Sequence, residues 1–415
     1  LNKRILDSDV QEYISSHLAA DVHKIAMAKS PFPDVSSAEL AGQIAAKNKC
    51  AKKLPTWFQQ EGIYYPALLS VEQCSSETTA SYKSSLALSG PLIDLTGGFG
   101  VDSHYFAKTT TAVTHCEINS ELSAIAAHNA SIFEQHNIHF LSVDGLQYLS
   151  SADQNFDTIY IDPARRSNSG KVFMLKDCTP DVVTNLDLML SKTKRIIIKT
   201  APLLDITAGL KDLRNVSEIH IVSVRNEVKE LLWIIDKEKP AEQKVKITAV
   251  TLNDATKQFS FYRNQNGDIA GENSNDQSSK EPATEQSKDT SAAQISIGAY
   301  LYEPDAALMK SGAFDVIADR YKLQKLDQQT QLYFSKNINT SFPGRIFKIN
   351  NFLSATTLKK QKDLTGNVIV RNYPDKAENL VRKYKIKPDR EKFLIFTQGK
   401  SEGLLIIDSD IIQHY

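Results

Sequence analysis

The spacing of apolar residues changes character along the chain. From residue 1 to about 65 they recur three and four apart, which predicts helices. Ser8-x-x-Gln11 and Ser36-x-x-Glu39 have capping-box spacing, and each opens an amphipathic run. The stretch SVEQCSSETTASYKSSLAL reads as one further helix leading into a strand. From Pro91 to about Asp236 short apolar runs alternate with helical ones. PLIDLT, TAVTHCE, IHFLSV, FDTIYID, RIIIKT, EIHIVSV and LLWIID read as strands. Ser120 to Phe133 is the clearest helix between them, and Pro180 behind Thr179 predicts the first turn of another. This alternation predicts an α/β fold with a parallel, doubly wound sheet. Only RNEVKE separates the last two runs, too short for a helical crossover, so they pair antiparallel as a hairpin.

Past that hairpin, KVKITAVTL and QFSFYR predict a connecting strand pair within 241–263. Residues 264–294 nearly lack aromatic and large aliphatic side chains and read as a disordered insert. A C-terminal α+β module follows. Its predicted strands are ISIGAYLYEP, TQLYFS, RIFKIN, NVIVRNYP, EKFLIFTQ and EGLLIID; its helices are DAALMKSGAFDVIADRY and DKAENLVRKYKI. The expected boundaries are 1–70 for the helical region, 71–240 for the α/β domain, and 295–340 and 341–415 for the two parts of the module.

Composition and charge narrow the picture. A chain of 415 residues exceeds one ordinary core, so two or three domains are expected. No apolar stretch approaches the ~18 residues of a membrane span, and the first residues lack the apolar centre of a signal peptide. Cys50, Cys74, Cys116 and Cys178 share no metal-type spacing, so no metal is expected. They fit a reducing compartment, which predicts the cytoplasm. Lys plus Arg, 49, balances Asp plus Glu, 49, over the whole chain. Between Arg345 and Lys400, however, fourteen basic residues stand against five acidic ones. Oligomeric state stays open.

The first predicted strand ends in DLTGGFGVDS, with Asp94, Thr96, Gly97, Gly98, Phe99, Gly100 and Asp102. Glycines between a buried strand and a helix let the backbone approach a nucleotide-type cofactor closely. A dinucleotide fingerprint wants a third glycine where Ser103 stands. Asp94 and Asp102 bring negative charge to the place a pyrophosphate would occupy. A cationic sulfonium fits better, and S-adenosylmethionine is such a ligand. Glu117, with Ile118 beside it, lies about twenty residues on, where an acid accepts ribose hydroxyls. Asp144, followed by Gly145, is placed either to accept from an adenine amino group or to cap a helix. Gln73, Ser75 and Ser76 either hold a methionine carboxylate or form a capped helix start.

These motifs resemble the class I S-adenosylmethionine-dependent methyltransferases over roughly Val71 to Asp236. The resemblance implies a seven-stranded Rossmann-like sheet whose last pair is a reversed hairpin. EQCSSETTASYK, IDPARRS, IKTAPLLD, RNEVKELLW, YLYEPDAALMKSGAF and FPGRIF further resemble the methyltransferases with a C-terminal THUMP-like domain. That likeness implies a ferredoxin-like element ahead of the THUMP-like one.

In such a fold the fourth strand ends beside the transferable methyl group. Asp162 and Pro163 match the first half of the Asp/Asn-Pro-Pro-aromatic motif of amino-group methyltransferases; Ala164 and Arg165 depart from the second half. Asp-Pro-Pro-Arg is similar to C5-uridine methyltransferases, which need a cysteine after the fifth strand. IIIKTAPLLD has none, and Cys178 comes too early. Arg165 either meets a phosphate or base or forms a salt bridge; Arg166 is left unassigned. SNSGKVFMLKD has the composition of a lid. Lys199 and Thr200 face the site edge, with Lys199 expected to be solvated, and Asn226 and Glu227 either line the acceptor pocket or simply suit a turn. The function expected is methylation of RNA, Asp162 accepting from the acceptor and the basic module gripping the RNA. Its rivals are a methyltransferase for a protein or small molecule, a non-catalytic RNA-binding scaffold, and, weakest, a nicotinamide dehydrogenase.

Overall fold

The computed structural model describes residues 1–165, 175–239, 244–264, 269–270, 294–361 and 363–415. They form two compact units, Leu1–Ile219 with Leu231–Gln243, and His220–Glu230 with Lys244–Tyr415. Most of the insert expected over 264–294 lies outside the described residues, as do Arg166 and most of the expected lid.

The first unit opens with six helices: α1 (Ser8–Ser16), α2 (Val22–Met27), α3 (Ser37–Lys53), α4 (Pro55–Gln59), α5 (Leu68–Gln73) and α6 (Glu77–Ser84). The box at α3 forms: Glu39 N–H donates to Ser36 Oγ at 3.2 Å, and Ser36 N–H to Glu39 Oε2 at 2.8 Å. The box expected at Ser8 does not. Asp7 takes the cap position, and the Gln11 amide donates to the Ile5 carbonyl at 2.8 Å instead. The single helix expected from Ser70 is broken between α5 and α6. Ser76 Oγ accepts the Thr79 N–H at 3.2 Å, and this local bond starts a new helix. Leu40, Ile44, Trp57 and Val71 share one buried cluster with Phe99 and Ile125, which seats the helices on the α/β layer.

The strands are β1 (Leu92–Asp94), β2 (Val113–Cys116), β3 (Ile138–Leu141), β4 (Phe156–Ile161), β5 (Thr193–Thr200), β6 (Val216–Val224) and β7 (Glu227–Asp236). Their order is β3-β2-β1-β4-β5-β7-β6. The first five run parallel and β7 lies antiparallel to β5, as the short connection requires. Every residue of β1 and β2 is buried, as expected of a parallel sheet covered on both faces. Helices α7 (Val101–Ala107), α8 (Ser120–Ile132), α9 (Gly145–Ser151), α10 (Leu186–Lys192) and α11 (Ile206–Asp212) complete the layer. The helix expected at Pro180 begins only at Leu186. Thr179 pairs instead with Ala164 in a two-residue ladder, Ala164–Arg165 against Cys178–Thr179.

The second unit contains the far end of the β6–β7 hairpin. Its turn residues Arg225 and Asn226 have φ of 50° and 61°, as a two-residue primed turn needs. The Asn226 side chain accepts the Ala306 N–H at 2.8 Å, and Glu227 is exposed and pairs with Lys229, so neither lines the cavity described below. Next come β8 (Val245–Leu252) and β9 (Thr256–Arg263), an antiparallel pair. A seven-stranded sheet follows, made of β10 (Tyr300–Pro304), β11 (Gln324–Lys325), β12 (Tyr333–Ser335), β13 (Gly344–Phe352), β14 (Asn367–Val370), β15 (Lys392–Gly399) and β16 (Gly403–Gln413). The order is β11-β12-β10-β13-β16-β15-β14. The helix expected over 305–321 is two, α12 (Ala306–Ser311) and α13 (Phe314–Tyr321), because Gly312 stops the first at φ 70°. On the face built by Leu394, Phe396 and Ile406 lie α14 (Ala355–Lys360) and α15 (Ala377–Tyr384), through Leu358, Leu380 and Tyr384. Lys359, Lys360, Arg382 and Lys383 on these helices are exposed.

Candidate active site

The loop after β1 is shaped from beneath. Gly97 N–H donates to the Cys116 carbonyl at 2.8 Å, and Gly100 N–H to the Gly97 carbonyl at 2.9 Å. Gly97 rests on the buried His115 ring, where a Cβ would lie 2.1 Å from Cε1. Gly98 has φ 55°, and its N–H donates to Glu117 Oε2 at 2.9 Å, while Glu117 Oε1 accepts the Asn119 N–H at 2.7 Å. The carboxylate after β2 is thereby locked onto the loop.

Above the loop opens a cavity of about 640 Å3 at the carboxyl ends of the parallel strands. Thr96, Gly97, Gly98, Phe99, Gly100, Asp102, Glu117, Ile118, Asp144, Gly145, Gln73 and Asp162 all line it, with Ser75, Cys74, Ala164 and Lys199. The helix break at Cys74–Ser76 is what turns Gln73, Cys74 and Ser75 toward this space.

Three of the expected site residues stand elsewhere. Asp94 is buried below the loop, accepting from Thr96 N–H at 3.0 Å and Ser103 Oγ at 2.7 Å. Ser103 also contacts His115 Nδ1 at 3.0 Å. Burial is the main cause that pushes the Asp94 carboxyl up to about 7 and the His115 imidazole down to about 3. Ser76 is spent as a helix cap. Pro163 is buried and outside the wall; Arg165 belongs by its backbone to the two-residue ladder.

Asp102 lines the cavity, but the fully buried Lys83 pairs with it at 3.0 Å. Burial alone would raise its carboxyl; the Lys83 and Lys199 charges and the Ser75 hydroxyl outweigh this and hold it below the usual value. The negative lining therefore comes mainly from Glu117 and Asp144. Asp144 meets both of its expected descriptions: it caps α9 by accepting the Gln147 N–H at 3.0 Å, and it lines the cavity. Gly145 is required by packing, since a Cβ there would lie 2.4 Å from the Leu95 carbonyl oxygen.

At the other end of the cavity, Asp162 N–H donates to Thr96 Oγ1 at 2.7 Å. Its carboxylate pairs with Lys199, whose side chain is only 15% exposed rather than solvated. The signal was the register: Ile161 pairs with Ile198 across parallel strands, which leaves Asp162 and Lys199 side by side one residue on. Cys74 and Cys116, which sequence reasoning did not place here, are also in the wall. Burial pushes their thiols up to about 11 and about 12, so neither offers a thiolate near neutral pH. Among the described residues no three His, Cys, Asp or Glu side chains gather into a metal-type cluster, and no helix is long and apolar enough to cross a membrane.

Comparison with known proteins gives this geometry a setting. Residues 300–343 match a ferredoxin-like domain, and 344–408 match a THUMP domain-like family. A Porphyromonas gingivalis W83 protein, assigned as a methyltransferase, aligns over 99% of this chain and 99% of its own with a TM-score of 0.81 and 29% identity. The chain has a methyltransferase fold. An uncharacterized RNA methyltransferase of Mycoplasma mobile is 29% identical over 170 residues, 37% of this chain. This chain spans 46% of that relative's length. A Streptococcus mutans protein solved with S-adenosylhomocysteine shows only a loose likeness, with a TM-score of 0.30 and 11% identity over 38% of this chain and 95% of its own.

Proposed function

We propose that this protein transfers a methyl group from S-adenosylmethionine to RNA in the cytoplasm, its C-terminal module gripping the RNA. The observation that carries the cofactor assignment is Glu117. Each carboxylate oxygen already accepts one backbone N–H, and each keeps a lone pair for a ribose hydroxyl. Ile118 and Val143, both exposed at the cavity, offer apolar surface to an adenine face. Gln73, Ser75 and Asp102, the last backed by the buried Lys83, form the polar end suited to an amino-acid moiety. The loop from Thr96 to Asp102 has no Lys or Arg to answer a pyrophosphate.

S-adenosylmethionine supplies an activated methyl group when bound. The chain's part is to orient the acceptor in line and to receive its proton, and Asp162, fixed by Thr96, is placed for both. Titration calorimetry is expected to show micromolar S-adenosylhomocysteine binding and no NAD binding. Asp162→Ala is expected to keep that affinity while transfer falls by about 10²-fold or more. NAD binding in place of S-adenosylhomocysteine would remove the cofactor assignment, and equal loss of affinity in Asp162→Ala would remove the division of roles.

RNA as the acceptor's carrier is supported by the basic charge of 345–400 and by the THUMP domain-like match there. Not all of that charge is available. Arg345 and Arg371 are both spent on the buried Glu303, at 2.5 and 2.6 Å. Lys359, Lys360, Arg382, Lys383 and Lys385 are exposed. Replacing Arg382 and Lys383 by Gln should therefore weaken tRNA or rRNA-fragment binding and flatten its log–log salt slope by about 1 to 2. A slope already flat in the wild type would favour a protein or small-molecule acceptor.

A further inference from the structure

The pairing of Asp162 with Lys199 bears on which atom receives the methyl group. A carboxylate that serves an exocyclic amine has to accept from its N–H groups, and the planar base needs a face to stack on. Here an ammonium occupies Asp162 Oδ2. In the sequence Arg165 takes the place of the motif's aromatic, and Phe99, the one aromatic among the described wall residues, is 3% exposed within the glycine loop. The charge logic points the same way. A neutral amine gains positive charge as it attacks a methyl carbon, and a neighbouring ammonium opposes that. A hydroxyl oxygen attacks best as an alkoxide, and an ammonium in contact favours that ionised form.

We propose that the acceptor is a hydroxyl oxygen, held and activated by Lys199 while Lys199 is itself oriented by Asp162. This rests on the RNA methyltransferase reading above, so the hydroxyl is that of a ribose. In the step, the oxygen forms a bond to the methyl carbon. The carbon–sulfur bond breaks with its electron pair on sulfur, leaving the neutral thioether. The hydroxyl proton passes to the Asp162 carboxylate and from there to solvent. Asp162, Asp102 and Cys74 share the electrostatic surroundings of Lys199, together with Lys53, which is tied to the Val71 and Glu72 carbonyls at 3.0 and 2.6 Å.

The test uses the full chain, S-adenosylmethionine labelled in its methyl group, and RNA from cells lacking the protein. After alkaline hydrolysis the label is expected in dinucleotides, because a methylated 2′-oxygen cannot attack its own phosphate. Label in mononucleotides places the methyl on a base and overturns the proposal while leaving the RNA reading intact. No label in RNA, with S-adenosylhomocysteine still bound, overturns the RNA reading and this proposal with it. Lys199→Met should keep S-adenosylhomocysteine affinity and lose about 10²-fold or more in kcat. Its residual rate should climb about tenfold per pH unit where the wild type has levelled off, and Lys199→Arg should restore part of the rate. A Lys199→Met protein that loses cofactor affinity and melting temperature together, with an unchanged pH profile, assigns the lysine a structural role and overturns the proposal.

Discussion

Lys83→Met is expected to destabilise the methyltransferase unit by about 3–5 kcal/mol at pH 7. The Lys83 side chain is fully buried. Its ammonium pairs with Asp102 at 3.0 Å and donates to Ser75 Oγ at 2.6 Å, and it lies 6.0 Å from the centre of the Tyr160 ring. Asp102 in turn accepts from Ser75 and Tyr160 at 2.8 and 2.9 Å. Removing the cation leaves a largely buried carboxylate with its two hydroxyl partners and the Lys199 charge. The deficit should depend on pH in a definite sense. In the wild type the Asp102 carboxyl is held below its usual value, so its contribution is present above the unfolded pKa and lost only as pH falls through the lower folded one. Without Lys83 the carboxyl moves up instead, so the variant's deficit should shrink as pH falls toward about 4. Denaturant unfolding across pH 4–7 measures this. Lys83→Met with Asp102→Asn should recover most of the loss, since neither charge is then stranded. A single variant as stable as the wild type at pH 7 would show the pair contributes nothing.

Gly97→Ala is the second large effect. Its Cβ would fall 2.1 to 2.4 Å from three atoms of the His115 ring. That ring has little room to retreat: it is fully buried, contacts Ser103 at 3.0 Å and packs 4.9 Å from Phe140. Overpacking of this kind costs about 1–3 kcal/mol or more, and because the loop itself must lift, S-adenosylhomocysteine affinity should be lost with it. Gly98 is the control. A Cβ there meets only the Thr96 carbonyl oxygen, at 3.8 Å, so Gly98→Ala bears the positive φ alone, about 1–2 kcal/mol. His115→Ala should rescue Gly97→Ala beyond additivity, because it vacates the contested volume. Calorimetric affinity and melting temperature read both effects, and a Gly97→Ala protein with wild-type values for each would refute the steric account.

Much of the α/β unit was legible because each strand is a short apolar run closed by a polar or glycine residue. The reversed β7 followed from chain length alone, since RNEVKE cannot cross a sheet. The glycine loop and Glu117 were legible because their spacing belongs to one local strand–turn–helix. What stayed hidden depends on competition or on register. Ser8 and Ser76 look alike in sequence, yet Asp7 displaces the first as a cap and nothing displaces the second. Gly312 had to be weighed against a helical pattern that runs on either side of it. Asp94 reads as a wall residue because it ends a strand; the side chain points below the loop, where Ser103 satisfies it. Lys199 reads as solvated until the register of β4 and β5 is known.

The β6–β7 hairpin has a consequence for how the molecule can be taken apart. Its near half belongs to one compact unit, and His220–Glu230 to the other. Within that second unit the Ser223 hydroxyl is engaged with Asp305 and the Val250 carbonyl, and Asn226 holds the first N–H of α12. A fragment cut in front of Lys244 would therefore leave behind eleven residues of its own fold, with the β8 edge bare and α12 uncapped at that N–H. The C-terminal module draws eleven of its residues from ahead of Lys244, so it cannot be cloned as a simple tail.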